Sequence, residues 1–339
     1  MGFLPTTDIK RLIIQSSKTT FKAQIPKILE YSKESTSIGS ASDLQFIALV
    51  DFLKNLVVDY STEGGLILVI DGLDDILTKR EVQYQALSAL IFEVDRLNLF
   101  LFQKRKNIHI IILCRTELYE RLPGTNKNKL RQDSALELNW YQDPHTPENS
   151  DLVKLVNLRA RISAERDIDV FEEYFPTKID GKRIEHYLLD MTRHTPRDFI
   201  SLMNTMKNYV SDRGVTKKDV MSALRKYSID YFEPEIRDEI VGYVDSKDYE
   251  DFRRLIGVIR QREFSYDHLL RLAKEQGCSE TAIRGTLRAL FDCGAIGNKW
   301  RTPSGSNRYE FKYRNKNSSF DDRKTIVLHK GLWKAMNLV

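Results

Sequence analysis

The sequence predicts an α/β protein: a partial parallel sheet with flanking helices, then an α-helical segment, then a C-terminal α+β module. Three observations lead there. Two apolar runs, the unbroken LILVI at 66–70 and IHIIIL at 108–113 with one histidine in it, are separated by a long helical period over 80–102. Helical spacing then dominates from about 149 to 228. The last quarter shows three further helical periods followed by two β-type runs joined by a Pro-Ser-Gly-Ser-Asn loop at 303–307.

In chain order, residues 9–15 read as a strand and the polar SSKTT follows it. This is no phosphate loop. Such a loop needs a glycine just before its lysine and another five residues earlier, so that backbone N–H groups can wrap the phosphates, and no G-x-x-x-x-G-K-[ST] occurs anywhere in the chain. Apolar spacing of Phe46, Leu49, Leu53, Leu56 and Tyr60 predicts a helix over 43–60.

The run at 66–70 lies between Gly64-Gly65 and the acidic cluster Asp71, Asp74 and Asp75. A short all-apolar run suits a strand buried on both faces of a parallel sheet, and ligands on such sheets sit beyond the carboxyl ends of the strands, where these acids fall. Nucleoside triphosphatases hold Mg²⁺ with an Asp delivered in this way, while a further acid orients the attacking water. The plain alternative is a polar turn after a core strand. The helix over 80–102, with Leu87, Leu90, Ile91, Val94 and Leu97 in one stripe, leads to the run at 108–113, which ends in Cys114-Arg115-Thr116. A parallel strand–helix–strand unit brings Arg115 to the same sheet edge as Asp71. A basic loop at 123–131 precedes a short third strand at 135–138, and Pro144 and Pro147 mark a linker.

Helices are expected over 150–166, 183–193, 196–212 and 216–227. Thr195-Pro196 forms an N-cap followed by proline at the first helical position, which puts Arg197 in the first turn. A cation there opposes the helix dipole unless an anion compensates it. Helices at about 248–260, 265–275 and 280–293 precede strands at 295–302 and 308–313 and a short strand at 325–328. Three helices and a hairpin match the winged-helix arrangement. On that reading Glu280, Thr281, Arg284 and Arg288 face outward from the second helix of the motif, and Lys299, Arg301, Arg308, Lys312 and Arg314 line the wing. Such cations suit phosphate contact on both sides of a groove; docking of a protein is the other use of this module.

At 339 residues with 41% hydrophobic and 30% charged content, the composition is that of a soluble globular protein with room for two or three cores. No apolar stretch reaches the roughly 18 residues that span a bilayer, so a cytoplasmic location without membrane contact is expected. Cys114, Cys278 and Cys293 lack ligand spacing with the six histidines, which argues against a zinc site or a disulfide framework. The net charge of +5 is uneven. Residues 251–339 carry 18 Lys and Arg against 9 Asp and Glu, whereas the rest carries 35 against 39. An anionic partner is therefore expected at the C-terminal quarter.

Taken together, LILVIDGLDD, HIIILCRTELYERL, HTPRDFISLMN and the C-terminal module resemble the C-terminal two-thirds of a bacterial P-loop ATPase of the AAA+/STAND type. The resemblance implies a partial P-loop ATPase core with Walker B and sensor strands over 1–145, a helical lid over 146–228 and a winged-helix domain over 229–339. It implies that Asp71 holds Mg²⁺, that Asp74 or Asp75 positions water, that Arg115 senses the γ-phosphate, and that Arg197 reaches it from the lid. The Walker A loop is absent here and in that family lies further upstream. The chain is therefore expected to be a fragment, one whose loop comes from another polypeptide, or a degenerate ATPase. ATP and Mg²⁺ are expected cofactors of the complete protein, neither binding tightly to this chain alone, and the chain alone is expected to be inactive. The functional expectation is a fragment of an ATP-dependent switch acting on nucleic acid, in antiphage defence, assembling with itself or with an upstream Walker A segment. The alternative is a nucleotide-independent DNA-binding or protein-docking scaffold derived from an ATPase.

Overall fold

The computed structural model describes residues 64–73, 81–141, 146–212 and 214–338, and most of 50–59, which are helical. The strand expected at 9–15 and the acids Asp74 and Asp75 lie outside the described residues. The chain is a mixed α/β protein with small sheets, and it divides into two units, Met1–Glu137 and Leu138–Val339.

In the first unit, strands β1 (Leu66–Ile70) and β2 (Ile108–Ile112) pair in parallel, with Leu66 opposite Ile108 and Ile70 opposite Ile112. Helix α1 (Glu81–Gln103) connects them, as a parallel pair requires. Its Asn98 side chain exchanges two hydrogen bonds of 2.8 Å with the backbone of Ile110, so a side-chain amide serves β2 as a short surrogate strand. Two short helices follow, α2 (Thr116–Arg121) and α3 (Lys127–Ser134), and Leu87 of α1 packs with Leu118 and Leu122.

Two expectations fail in this unit. Strand β1 is not buried on both faces: Leu66, Ile67, Leu68 and Val69 are 47–61% exposed, because the described residues give it one strand neighbour. Residues 135–140 form no strand. Leu136 and Leu138 stand largely exposed, since alternation without a partner ladder has nothing to pair with.

The second unit begins with helix α4 (Asp151–Ala164), α5 (Val170–Tyr174), a two-residue hairpin of β3 (Lys178–Ile179) and β4 (Lys182–Arg183), and α6 (Ile184–Leu189). Thr195 then caps α7 (Pro196–Lys207), its hydroxyl accepting the Asp198 N–H. A capping box between Thr216 and Asp219 opens α8 (Lys217–Tyr227). A π turn at Ser228–Phe232 passes without a break into α9 (Glu233–Ile240).

Three helices follow: α10 (Ser246–Ile259), α11 (Tyr266–Glu275) and α12 (Glu280–Asp292). Gly294, at φ 77°, ends the last in the left-handed conformation that an L side chain resists. Strands β5 (Glu263–Phe264), β6 (Ile296–Arg301), β7 (Asn307–Glu310) and β8 (Thr325–Leu328) make one antiparallel sheet in the order β5-β8-β6-β7. One hydrophobic core runs from Leu152 on α4 through Phe199, Leu224 and Phe252 to Leu287, Ile326 and Leu338. The segments that the sequence reading separates at 228/229 thus share buried side chains.

Candidate functional site

At the strand edge, Asp71 directly follows β1, and Arg115 lies three residues past β2 as the N-cap of α2. The in-register pairing, extended by the hydrogen bond from Leu113 N to Ile70 O, delivers both residues to the carboxyl edge of the two strands. Both side chains are exposed, and the Asp71 carboxylate accepts the Gly72 N–H at 2.7 Å. One carboxylate and one guanidinium do not make a phosphate cradle. Among the described residues no group of three or more His, Cys, Asp or Glu gathers for a metal ion. Among the described residues, this edge thus offers Asp71 and Arg115, and the other two acids expected beside them, Asp74 and Asp75, lie outside the described residues.

Arg197 belongs to the other unit. Its guanidinium donates to Glu235 Oε1 of α9 at 2.9 Å, and this hydrogen bond holds its pKa above the ordinary value. The anion that the helix dipole demands is thus supplied within the same unit.

Four residues upstream is a group that the periodicity does not reveal. Arg193 is buried and grips Asp198 with two hydrogen bonds, Nε to Oδ2 at 2.9 Å and Nη2 to Oδ1 at 3.0 Å, while its backbone N–H donates to Oδ2 as well. Its Nη1 donates to Glu239 on α9 at 2.6 Å and to the Cys293 carbonyl past α12. The π turn sets Tyr231 to donate to Asp198 and lays the Phe232 ring against the guanidinium, 5.5 Å from its centre. Burial opposes charge on both partners, yet their mutual attraction wins, so Arg193 is pushed further up and Asp198 down. Glu239, held mainly by burial, is pushed up. The sequence signal was present in Asp198, an acid at the third position of a Thr-capped helix that also points inward.

The C-terminal cations are spread over several faces. On α12, Ile283, Leu287, Leu290 and Phe291 face the core, so Arg284 and Arg288 share the outer side with Glu280 and Thr281. Arg288 is exposed. Arg284 lies against the Tyr266 ring and pairs with Asp322 at 3.2 Å. The cause is Asn298 on β6: fully buried, it exchanges two 2.9 Å hydrogen bonds with the Asp321 backbone and fixes the acidic loop beside α12.

In the hairpin, Lys299 opposes Tyr309 and Trp300 opposes Arg308. Strand alternation then sets Lys299 and Arg301 on one face and Arg308 on the other. Lys299 is engaged by Glu263, Arg301 donates to the Gly305 carbonyl and Lys312 to the Ser318 carbonyl. Arg314 turns away from the hairpin into a cavity beside Asp190. The expected basic stripe is therefore reduced to exposed Arg288, Arg301 and Arg308 around groups already engaged.

Comparison with known proteins adds two likenesses. The FunZ-associated C-terminal helical domain family matches residues 150–234, the span from α4 into the start of α9. The chain is similar to a putative transposon gamma-delta 80.3 kDa protein of Escherichia coli (strain K12), 21% identical over 337 residues, covering 91% of this chain and 46% of that protein. The chain thus spans about half the length of the curated relative it matches. No solved structure matches.

Proposed function

We propose that the chain engages nucleic acid through its C-terminal helices and hairpin, in the manner of a winged helix, as one part of a nucleotide-controlled switch of the AAA+/STAND type. The observation that carries this reading is the order α10, β5, α11, α12, β6, β7, with Arg288 exposed on the last helix and Arg301 and Arg308 exposed on the hairpin. A departure from the usual module is β8, which lies between β5 and β6. The likeness to a transposon protein supports DNA as the partner. The parallel β1–α1–β2 unit, bringing Asp71 and Arg115 to one edge, supports a nucleotide end in a longer or assembled protein. The phosphate loop would have to come from outside this chain.

A salt-series titration of the chain with labelled double-stranded and single-stranded DNA tests the proposal. Binding should weaken steadily with salt, as counterion release requires, and Mg·ATP should leave it unchanged. Replacing Arg288 or Arg308 by Ala should lower the salt slope by about one each. Absence of binding at low salt would transfer the module to protein docking, a reading favoured by the pairing of Arg284 and Lys299 with acids.

A further inference from the structure

Within the second unit lies a cavity of about 340 Å³ between the α6–α7 segment and the end of the chain. Its charge does not balance. Asp190, buried at the end of α6, is the carboxylate on which three cations converge: Lys182 at 2.9 Å, Arg314 at 3.6 Å and Lys330 in a shorter contact. The His186 ring stands 3.7 Å from it. The other lining acid, Glu263, is engaged by Lys299. One carboxylate thus faces three cationic side chains in a partly closed space, where uncompensated charge is costly, and burial lowers the pKa of Lys330.

Two further observations indicate what the excess is for. His194 lines the cavity at 8% exposure, and its Nε2 has no hydrogen-bond partner; the Nε of Arg314 likewise has none. A buried polar atom without a partner is expensive to keep. His194 also holds a left-handed backbone at φ 55°. Around these groups the wall is aromatic. The His194 ring stacks on Tyr313 at 5.6 Å and meets the edge of Tyr141 at 5.0 Å, and Trp333 lies along the same cavity. Burial, with the nearby Arg314 charge, pushes the His194 pKa down to about 4, so the imidazole is neutral at neutral pH and its unpartnered Nε2 is enclosed at the cavity wall.

We propose that this cavity binds a phosphate monoester carried on a flat ring, of the nucleoside monophosphate class, with the phosphate held by Lys182, Arg314 and Lys330 and the ring against Tyr141, Tyr313 and His194. A dianionic phosphate matches the two uncompensated positive charges, and the volume suits a ligand of that size. This site lies wholly in the second unit and is independent of the Asp71 edge.

Calorimetric titration of the whole chain with AMP, and with adenosine as the uncharged control, tests the assignment. AMP should bind with an affinity that falls with salt, and adenosine at least ten-fold more weakly. Lys330→Gln should weaken AMP at least ten-fold. Lys182→Gln, at the more exposed cation, gives the same reading if Lys330→Gln fails to fold. His194→Phe, which keeps the ring and removes Nε2, should cost about three-fold or more. Absence of AMP binding at millimolar concentration, equal binding of adenosine, or undiminished AMP binding in a folded Lys182→Gln variant would each overturn the proposal.

Discussion

Arg193 and Asp198 are the residues on which the second unit turns. Asp198 is fully buried, so removing its cation leaves a carboxylate with the Tyr231 hydroxyl and the backbone N–H of residue 193 to answer its charge. Arg193→Ala should cost about 3–5 kcal/mol in urea unfolding, the usual loss when one partner of a buried pair is deleted. A loss below about 1 kcal/mol would show that water reaches Asp198. Acid should act here too. Burial, aided by Arg193 and Arg314, pushes His329 down to about 3, and burial with Arg314 pushes His194 down to about 4. An unfolded imidazole takes its proton near 6.5, so the unfolded state binds protons that the folded state refuses. Stability should be full above about pH 6.5 and decline as pH falls toward 4 and 3, with the depressed Asp190 and Asp198 adding their loss at the acid end. A urea midpoint that stays flat from pH 7 to pH 4 would contradict the neutral state of the two histidines. The periodicity marked Arg197 in this region and passed over Arg193, because burial of a charged side chain is decided by partners distant in sequence: Glu239 is 46 residues away and Cys293 100.

At the scale of elements, most helices fall where capping and spacing place them. The expected helix at 265–275 is α11, Tyr266–Glu275, and the strand expected at 325–328 is β8. Side-chain direction within elements was less legible. The cations of the hairpin divide between two faces, because register, which sets which residue opposes which, follows from pairing with β8 as well as from the loop. The α12 surface has a further restraint in the loop that Asn298 clamps. Asp322→Asn should release Arg284 and raise DNA affinity several-fold at low salt, with the gain shrinking as salt rises. An unchanged affinity would remove α12 from the DNA contact. A similar gap concerns α5 and the β3–β4 hairpin, elements of two to five residues whose formation depends on neighbours such as Asn157, which hydrogen-bonds Asp169 and the Val170 N–H.

For the whole molecule, the second unit has one core from Leu152 to Leu338, so its helical part and its C-terminal sheet should melt together. Scanning calorimetry of the isolated 138–339 segment should give a single transition with calorimetric and van't Hoff enthalpies in agreement. Two resolved transitions would restore a boundary near 228. The structure supplies a physical reason for one transition: Ser228 in the π turn donates to the Gly331 carbonyl, and the His329 ring pairs with the Thr192 carbonyl, so both ends of the unit are tied through buried hydrogen bonds.

Sequence alone determined the local quantities of this protein. The parallel β1–α1–β2 order, the Thr195-Pro196 helix start, the three C-terminal helices and the following hairpin follow from hydrophobic period and capping chemistry, which act within a few residues. The absence of a phosphate loop was equally plain, since that loop is a contiguous string. Only the tertiary structure decided which charges are matched one to one with acids and which crowd together. Arg284, Lys299 and Arg197 are spent on acids, whereas Lys182, Arg314 and Lys330 crowd around one carboxylate. The reason is that pairing of charges depends on distance in space, and the residues meeting at Asp190 come from positions as far apart as 182 and 330.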